Sequence, residues 1–390
     1  MPDNDATAES RVTLQARLAG AQFHRALTNL WQMLPPQPWV RAAVVSIACT
    51  SFSFVLYAPN LWEGACDSRC QDVLAMAESP LAPAHLNWPL SAYRVSTPIL
   101  AHLLQLRGMS VLAVPIASNI LALGLLFHLL SKFLPPMLTG MTALAFALTQ
   151  FTQVGNTWLG WPDPLSNVAL LAIMLARNEL MIAAAVALGG LNDERFLVAL
   201  PLALGWHLSS QLPPLTAKKI LLTIAPVALG LIAVGVTRHA ITIGSWGQPV
   251  PQTVYDQVAP FVYFLNFWHK PLAAFFAFRW LWLIPIVAVR SLWDVSRIRG
   301  FTYGTLIAAS CFVLTLPGDM TRSMMAAFPI FLIGLRSIAA VQIGTVRRLV
   351  PAVNLLNVIT PMLNVYLLSI WPIYPLPAVL ARLLLGRHTL

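Results

Sequence analysis

The sequence predicts an all-α, polytopic integral membrane protein, and three observations carry that expectation. Hydrophobic residues make up 58% of 390 and charged residues only 10%, too apolar a balance for one solvated globular surface. The mean hydropathy is +0.71. Long apolar runs recur along the chain, each near the length that a bilayer demands.

The N-terminal segment, residues 1–37, carries Arg11, Arg17 and Arg25, with Arg41 just beyond, ahead of the first long apolar run. The positive-inside rule places it in the cytoplasm. No cleavable signal peptide is expected, because that run begins too late, and it would serve as an uncleaved anchor. Within the segment, Leu14, Leu18, Leu27, Leu30 and Leu34 recur at helical intervals between basic residues, the pattern of an amphipathic helix lying on the membrane interface. Pro35 and Pro36 end it.

Residues 38–390 form the membrane domain. Spans are expected near 39–59, 109–131, 137–154, 163–176, 179–192, 195–212, 219–237, 271–290, 301–317, 323–341 and 350–371, about eleven crossings. The run 271–290 contains Arg279, which must pair, face a cavity or mark a later helix start. No internal repeat of the kind common in secondary transporters is visible. The net charge of +10 is distributed as topology rather than as a basic block, which argues against a nucleic-acid partner. The partners expected are membrane lipids, in a plasma membrane such as the bacterial inner membrane.

Charge is rare enough that its placement is informative. The outer loop 60–92 holds Glu63, Asp67, Asp72 and Glu78 with Arg69. Cys66 and Cys70 flank Asp67 there, at a spacing that permits a disulfide in an oxidising compartment without imposing one. Free thiols are the alternative, and a zinc site lacks a second ligand pair. An interfacial or re-entrant helix is expected over 93–107, starting at Tyr93-Arg94. Arg94 there can meet a phosphate through paired donors or snorkel to headgroups. Three further turns place charge on the same face: Trp161-Pro162-Asp163-Pro164, Asn192-Asp193-Glu194-Arg195 and Gly318-Asp319-Met320-Thr321-Arg322. The loop 238–260 adds His239, Trp246, Tyr255 and Asp256, followed by an aromatic run. Aromatic belts account for most of that run, though a sugar or isoprenoid surface would use the same residues.

This pattern resembles the polytopic GT-C glycosyltransferases, which use polyprenyl-phosphate sugars and place a catalytic Asp in the first outer loop. The resemblance rests on Cys66-Asp67 leading into Val73-Leu74-Ala75-Met76-Ala77, then Tyr93-Arg94 and Pro98. Asn192-Asp193-Glu194-Arg195 before Leu200-Pro201, and Asp319 to Arg322 before Pro329, resemble short patterns in uncharacterised members. It implies a GT-C-like fold and an inverting transfer from a polyprenyl-phosphate sugar to an acceptor of unspecified identity at the extracytoplasmic face. Asp67, then Asp72, would be the catalytic base. Arg94, Asp163, Asp193, Glu194, Arg195, Asp319 and Arg322 would form the substrate and phosphate site. Asp67 and Asp72 stand apart, whereas many members have adjacent acidic residues, so no metal ligand set is assigned; a divalent metal remains open as the only cofactor. A transporter or flippase of lipid-linked saccharide, or a non-catalytic membrane subunit of a polysaccharide assembly system, would draw on the same features.

Overall fold

The computed structural model describes residues 22, 29, 31–34, 36–57, 66–80, 86–87, 89–209, 217–243, 268–317, 319–366 and 369–385. They are mostly helical, and five helices are long and apolar enough to cross a membrane: Pro38–Leu56, Gly108–Leu130, Ile220–Ile241, His269–Val295 and Met320–Ile359. Three shorter apolar helices accompany them. By length and composition the chain is an integral membrane protein of the helical type. Most of the expected amphipathic helix over 9–34, and the loop beyond residue 243 with Trp246, Tyr255 and Asp256, lie outside the described residues.

Helix α1, Pro38–Leu56, opens on a proline at its first position, where the missing N–H costs nothing. The loop that follows is partly helical. Asp67 caps α2, Ser68–Glu78, by accepting the Cys70 N–H at 2.9 Å. A 3-10 turn, Pro89–Tyr93, leads into α3, Ser96–Leu103. A second 3-10 turn, Gly108–Leu112, leads into α4, Ala113–Leu130, which packs on α1.

The expected span 137–154 divides in two. Helix α5, Pro136–Ala147, stops and α6, Gln150–Thr157, restarts. Thr149 is extended and accepts the Phe151 N–H, a competing local bond that breaks a helix more readily than it propagates one. Every residue of α6 is buried although Gln150, Thr152, Gln153, Asn156 and Thr157 are polar. Helices α7, Asp163–Leu175, α8, Glu179–Gly190, α9, Glu194–Ser209, and α10, Ala217–Ile243, follow.

Helices α8 and α10 approach closely through glycine. A Cβ on Gly230 would lie 2.6 Å from the Val186 Cβ and 2.7 Å from the Ala183 carbonyl oxygen, the small-residue contact by which helices pack when lipid removes the hydrophobic drive. Gly230→Val is therefore expected to cost about 1–3 kcal/mol by overpacking, read as a lower unfolding midpoint in detergent. An unchanged midpoint would show that the two helices separate at no cost.

The candidate span His269–Val295 is interrupted. Helix α11, His269–Phe278, ends at Arg279, whose φ of 48° lies in the left-handed region. A 3-10 turn, Arg279–Trp282, then leads into α12, Leu283–Val295. Arg279 is buried, and its guanidinium donates to the Asn357 and Thr360 carbonyls and to the Tyr57 hydroxyl. Those carbonyls end a helix, where the backbone dipole favours a cation.

Helix α13, Arg297–Leu314, precedes a short α14, Met320–Met324, and the long α15, Phe328–Ile359. The spans expected at 323–341 and 350–371 fall on two helices that meet at a kink within that range. The backbone at Gln342 leaves helical geometry, with φ −145° and ψ 71°, and the second helix ends at Ile359, well short of residue 371. It stops at Thr360 because Pro361 biases the preceding residue away from helical backbone. Beyond it, β1, Met362–Val365, and β2, Ile370–Ile373, pair antiparallel with Met362 opposite Ile373 and Val365 opposite Ile370. This hairpin departs from the all-α expectation. A last helix, α16, is Leu376–Leu384. The main core joins α4, α5, α7 to α9, α12 and α15.

Candidate functional site

Four separate turns meet at one end of this bundle. Asp163 is the first residue of α7, where a carboxylate suits the helix dipole. Arg322 sits in α14 and reaches it with both arms of the guanidinium: Nε and Nη2 donate to Asp163 Oδ1 and Oδ2, each at 2.6 Å. Both side chains are 1% exposed. Such a two-pronged, desolvated pair is the strongest form of ion pair in geometry.

The turn between α8 and α9 brings the next charges. Arg195 donates through Nε to Asp193 Oδ1 at 2.7 Å, and its Nη2 lies 3.1 Å from Asp163 Oδ1. Arg322 Nη2 is 3.7 Å from Asp193, and Arg322 Nη1 is 3.7 Å from Asp319. These longer contacts act by charge rather than by hydrogen bond. Arg94 donates to Glu194 at 2.9 Å, and Arg238 lies 3.5 Å from the other oxygen of that carboxylate.

Exposure grades across the cluster. Asp193 is 2% exposed, Arg195 13%, Arg94 19% and Glu194 39%, so the opening is at the Arg94–Glu194 pair. Burial alone would raise the Asp193 carboxyl; Arg195 and Arg94 outweigh it and hold the group well below the usual carboxylate range. Asn192 keeps this turn in register. Its Nδ2 donates to the Pro162 carbonyl at 2.6 Å and to Ser166 Oγ at 2.9 Å, and its Oδ1 accepts from Thr97 at 3.0 Å.

Asp67 joins through an indole. Trp161 Nε1 donates to Asp67 Oδ2 at 3.0 Å and Oδ1 at 3.3 Å. Over the same ring lie the guanidiniums of Arg322, 3.9 Å from its centroid, and Arg69, 4.6 Å from it; cations favour that face. Trp158 stacks on Trp161 at 5.1 Å. Asp67 is half-buried.

Asp72 is differently engaged. It is 1% exposed, and its Oδ1 accepts from the Asn87 backbone N–H at 2.6 Å and from Asn87 Nδ2 at 3.0 Å, while Oδ2 accepts from Ser91 Oγ at 2.8 Å. Both oxygens are spent on holding the loop that enters the Pro89–Tyr93 turn. Cys66 and Cys70 are joined in a disulfide with Cα atoms 5.1 Å apart.

Arg94, Asp163, Asp193, Glu194, Arg195, Asp319 and Arg322 therefore lie in one connected cluster, with Asp67 one indole away and Asp72 outside it. Arg69, Arg238 and Trp161 belong to the cluster although sequence reasoning did not select them. Trp161 stood in a quoted turn, but nothing in its spacing tells a ring that bridges charges from one that packs. Beneath the cluster, a cavity of about 10 Å³, the room of one water, is bordered by Asp163, Asp193, Arg195, Arg322, Ser166 and Asn167. Asn167 Oδ1 is buried there without a hydrogen-bond partner. Among the described residues no three His, Cys, Asp or Glu side chains group so as to hold a metal ion.

Fold and site together define a class: a multi-helix membrane protein with a buried arginine–carboxylate cluster at one end of its bundle. No protein-family model, no characterised protein and no solved structure matches the chain.

Proposed function

We propose that the protein is a membrane glycosyltransferase that moves a sugar from a polyprenyl-phosphate donor to an acceptor hydroxyl at the extracytoplasmic face, with Asp67 as the general base. One observation carries this reading: the half-buried Asp67 carboxylate and the buried Arg322 guanidinium contact the same indole, Trp161. Transfer needs both kinds of group side by side. The acceptor oxygen attacks the anomeric carbon as Asp67 takes its proton, and the bond from that carbon to the donor phosphate oxygen breaks with inversion. The departing lipid phosphate then carries the additional charge, which fixed cations stabilise.

The pairing pattern divides the work among the arginines. Arg322 is committed to Asp163 through both arms and stays in place as a fixed part of the site. Arg94 pairs with Glu194, the most exposed carboxylate of the cluster, and is the cation that can exchange its partner for a phosphate. Asp72 holds the loop that carries Arg94. A donor anchored in lipid fits a site at the end of apolar helices, and the same reading counts about eleven crossings by adding shorter helices to the five long ones. It places the N-terminus in the cytoplasm and the fold among GT-C-like architectures.

Purified protein in vesicles, supplied with a polyprenyl-phosphate sugar labelled in the sugar and with candidate acceptors, is expected to give a covalent product and free polyprenyl phosphate. Movement of the intact labelled lipid across the bilayer without either product would replace this reading with that of a flippase.

A further inference from the structure

We propose that the Cys66–Cys70 disulfide and Trp161 form a positioning unit that aims Asp67 at the arginine cluster. The inference rests on the assignment of Asp67 as the base. The disulfide brackets that residue, tying the position before it to the first turn of α2. On one side, Cys70 supplies the backbone N–H that caps onto Asp67 Oδ1 at 2.9 Å.

On its other side Cys70 presses against the turn that delivers Trp161. A Cβ at Gly160 would lie 2.9 Å from the Cys70 Sγ and 3.0 Å from its Cβ. Gly160 has a φ of 88°, a backbone conformation that other residues rarely adopt. The next residue is Trp161, whose N–H reaches the carboxylate and whose face carries Arg322. Cys70 thus touches both arms that hold Asp67: the cap from its own backbone and the turn bearing the indole.

Cys70 is fully buried and Cys66 only partly so, which makes Cys66 the sulfur that an external thiol can attack. A dithiol reductant supplies two electrons and two protons, the Cys66–Cys70 bond breaks into two thiols, and the reductant closes to its own disulfide. Cys70 keeps its cap and its contact with the Gly160 turn, but Cys66, the residue before Asp67, is no longer tied to them. Aim is lost while the cationic site is untouched, so the chemical step slows and donor binding does not.

The test uses the full chain in lipid nanodiscs with 15N-labelled tryptophan, the Trp161 indole signal being assigned by its loss in Trp161→Phe. Dithiothreitol treatment and Cys66→Ser are each expected to move the Trp161 indole N–H signal. Both are expected to lower kcat about tenfold to a hundredfold, the scale of a misplaced catalytic group, with KM for the lipid donor nearly constant. Reoxidation of the reduced protein restores both readings. The Trp206 indole, which packs between Phe133 and Arg336, should stay in place.

Opening of the disulfide, verified by mass, with no movement of the Trp161 signal overturns the proposal. So does a shift of Trp161 and Trp206 together, which would mark general loosening, or a rise in KM at constant kcat. Should the oxidised protein transfer no sugar at all, the assignment of the base falls, and the indole signals still decide whether disulfide and Trp161 are coupled.

Discussion

Asp67→Asn is expected to lower the rate of sugar transfer by about 10²–10⁴-fold, the range that a positioned general base contributes. The substitution is selective because Asn caps helices as well as Asp does. Its amide oxygen can still accept the Cys70 N–H that now reaches Oδ1 at 2.9 Å, so α2 keeps its start. What disappears is the capacity to take up a proton, together with the acceptor that Trp161 Nε1 reaches at Oδ2, which leaves the indole its longer bond to Oδ1. The unfolding midpoint in detergent should therefore stay close to that of the parent while initial rates with a lipid-phosphate sugar collapse. Asp72→Asn should behave in the opposite way: it alters a carboxylate that accepts from Asn87 and Ser91, and it should affect stability before it affects the chemical step. An Asp67→Asn protein with full activity would remove the base from the mechanism.

Asp163→Leu is expected to cost about 3–5 kcal/mol of stability, the penalty for leaving a buried charge without its partner. Arg322 is 1% exposed and places Nε and Nη2 on the two oxygens of Asp163. Asp193 and Asp319, each 3.7 Å from a guanidinium nitrogen, are too distant to take over those bonds. The double variant Asp163→Leu with Arg322→Met should recover part of the loss, because an apolar pair needs no counter-charge. The surface pair Arg290–Asp294, at 3.3 Å with side chains 82% and 59% exposed, supplies the control: Asp294→Ala should change stability by about 0–1 kcal/mol. Unfolding midpoints measured in one detergent would compare the three. Equal midpoints for the Asp163 and Asp294 variants would show that the cluster is hydrated and loosely held.

These two expectations rest on residues that differ in how plainly the sequence marks them. Asp67 stands between two cysteines in an acidic loop after the first apolar run, and a carboxylate at the start of a helix is a local pattern. Asp163, Asp193, Arg195 and Arg322 are likewise marked by being charges at span ends in an apolar chain. Which carboxylate pairs with which arginine is not local, since Asp163 and Arg322 lie 159 residues apart. Trp161 was hidden for the same reason: its function is a matter of what lies on its ring and at its N–H.

The errors in reading the helices have a similar origin. Hydropathy registers that 137–154 is apolar enough to cross a membrane, yet Thr149 accepts the N–H of Phe151 and divides it. Hydropathy also continues past Ile359, whereas Pro361 ends the helix and the following residues turn into a hairpin, beside which Tyr366 bridges to Asp319.

Composition and span length by themselves determined that this chain belongs in a bilayer, because the free energy of burying apolar residues in lipid is a sum over residues and needs no knowledge of their neighbours. The scarcity of charge determined where to look for a site. The tertiary structure alone decided that four turns share one cluster, that Asp72 serves its loop, and that Asp67 meets the arginines through an indole. Hydrogen bonds and ion pairs depend on distances of a few ångströms between residues far apart in the chain, and only packing sets those distances.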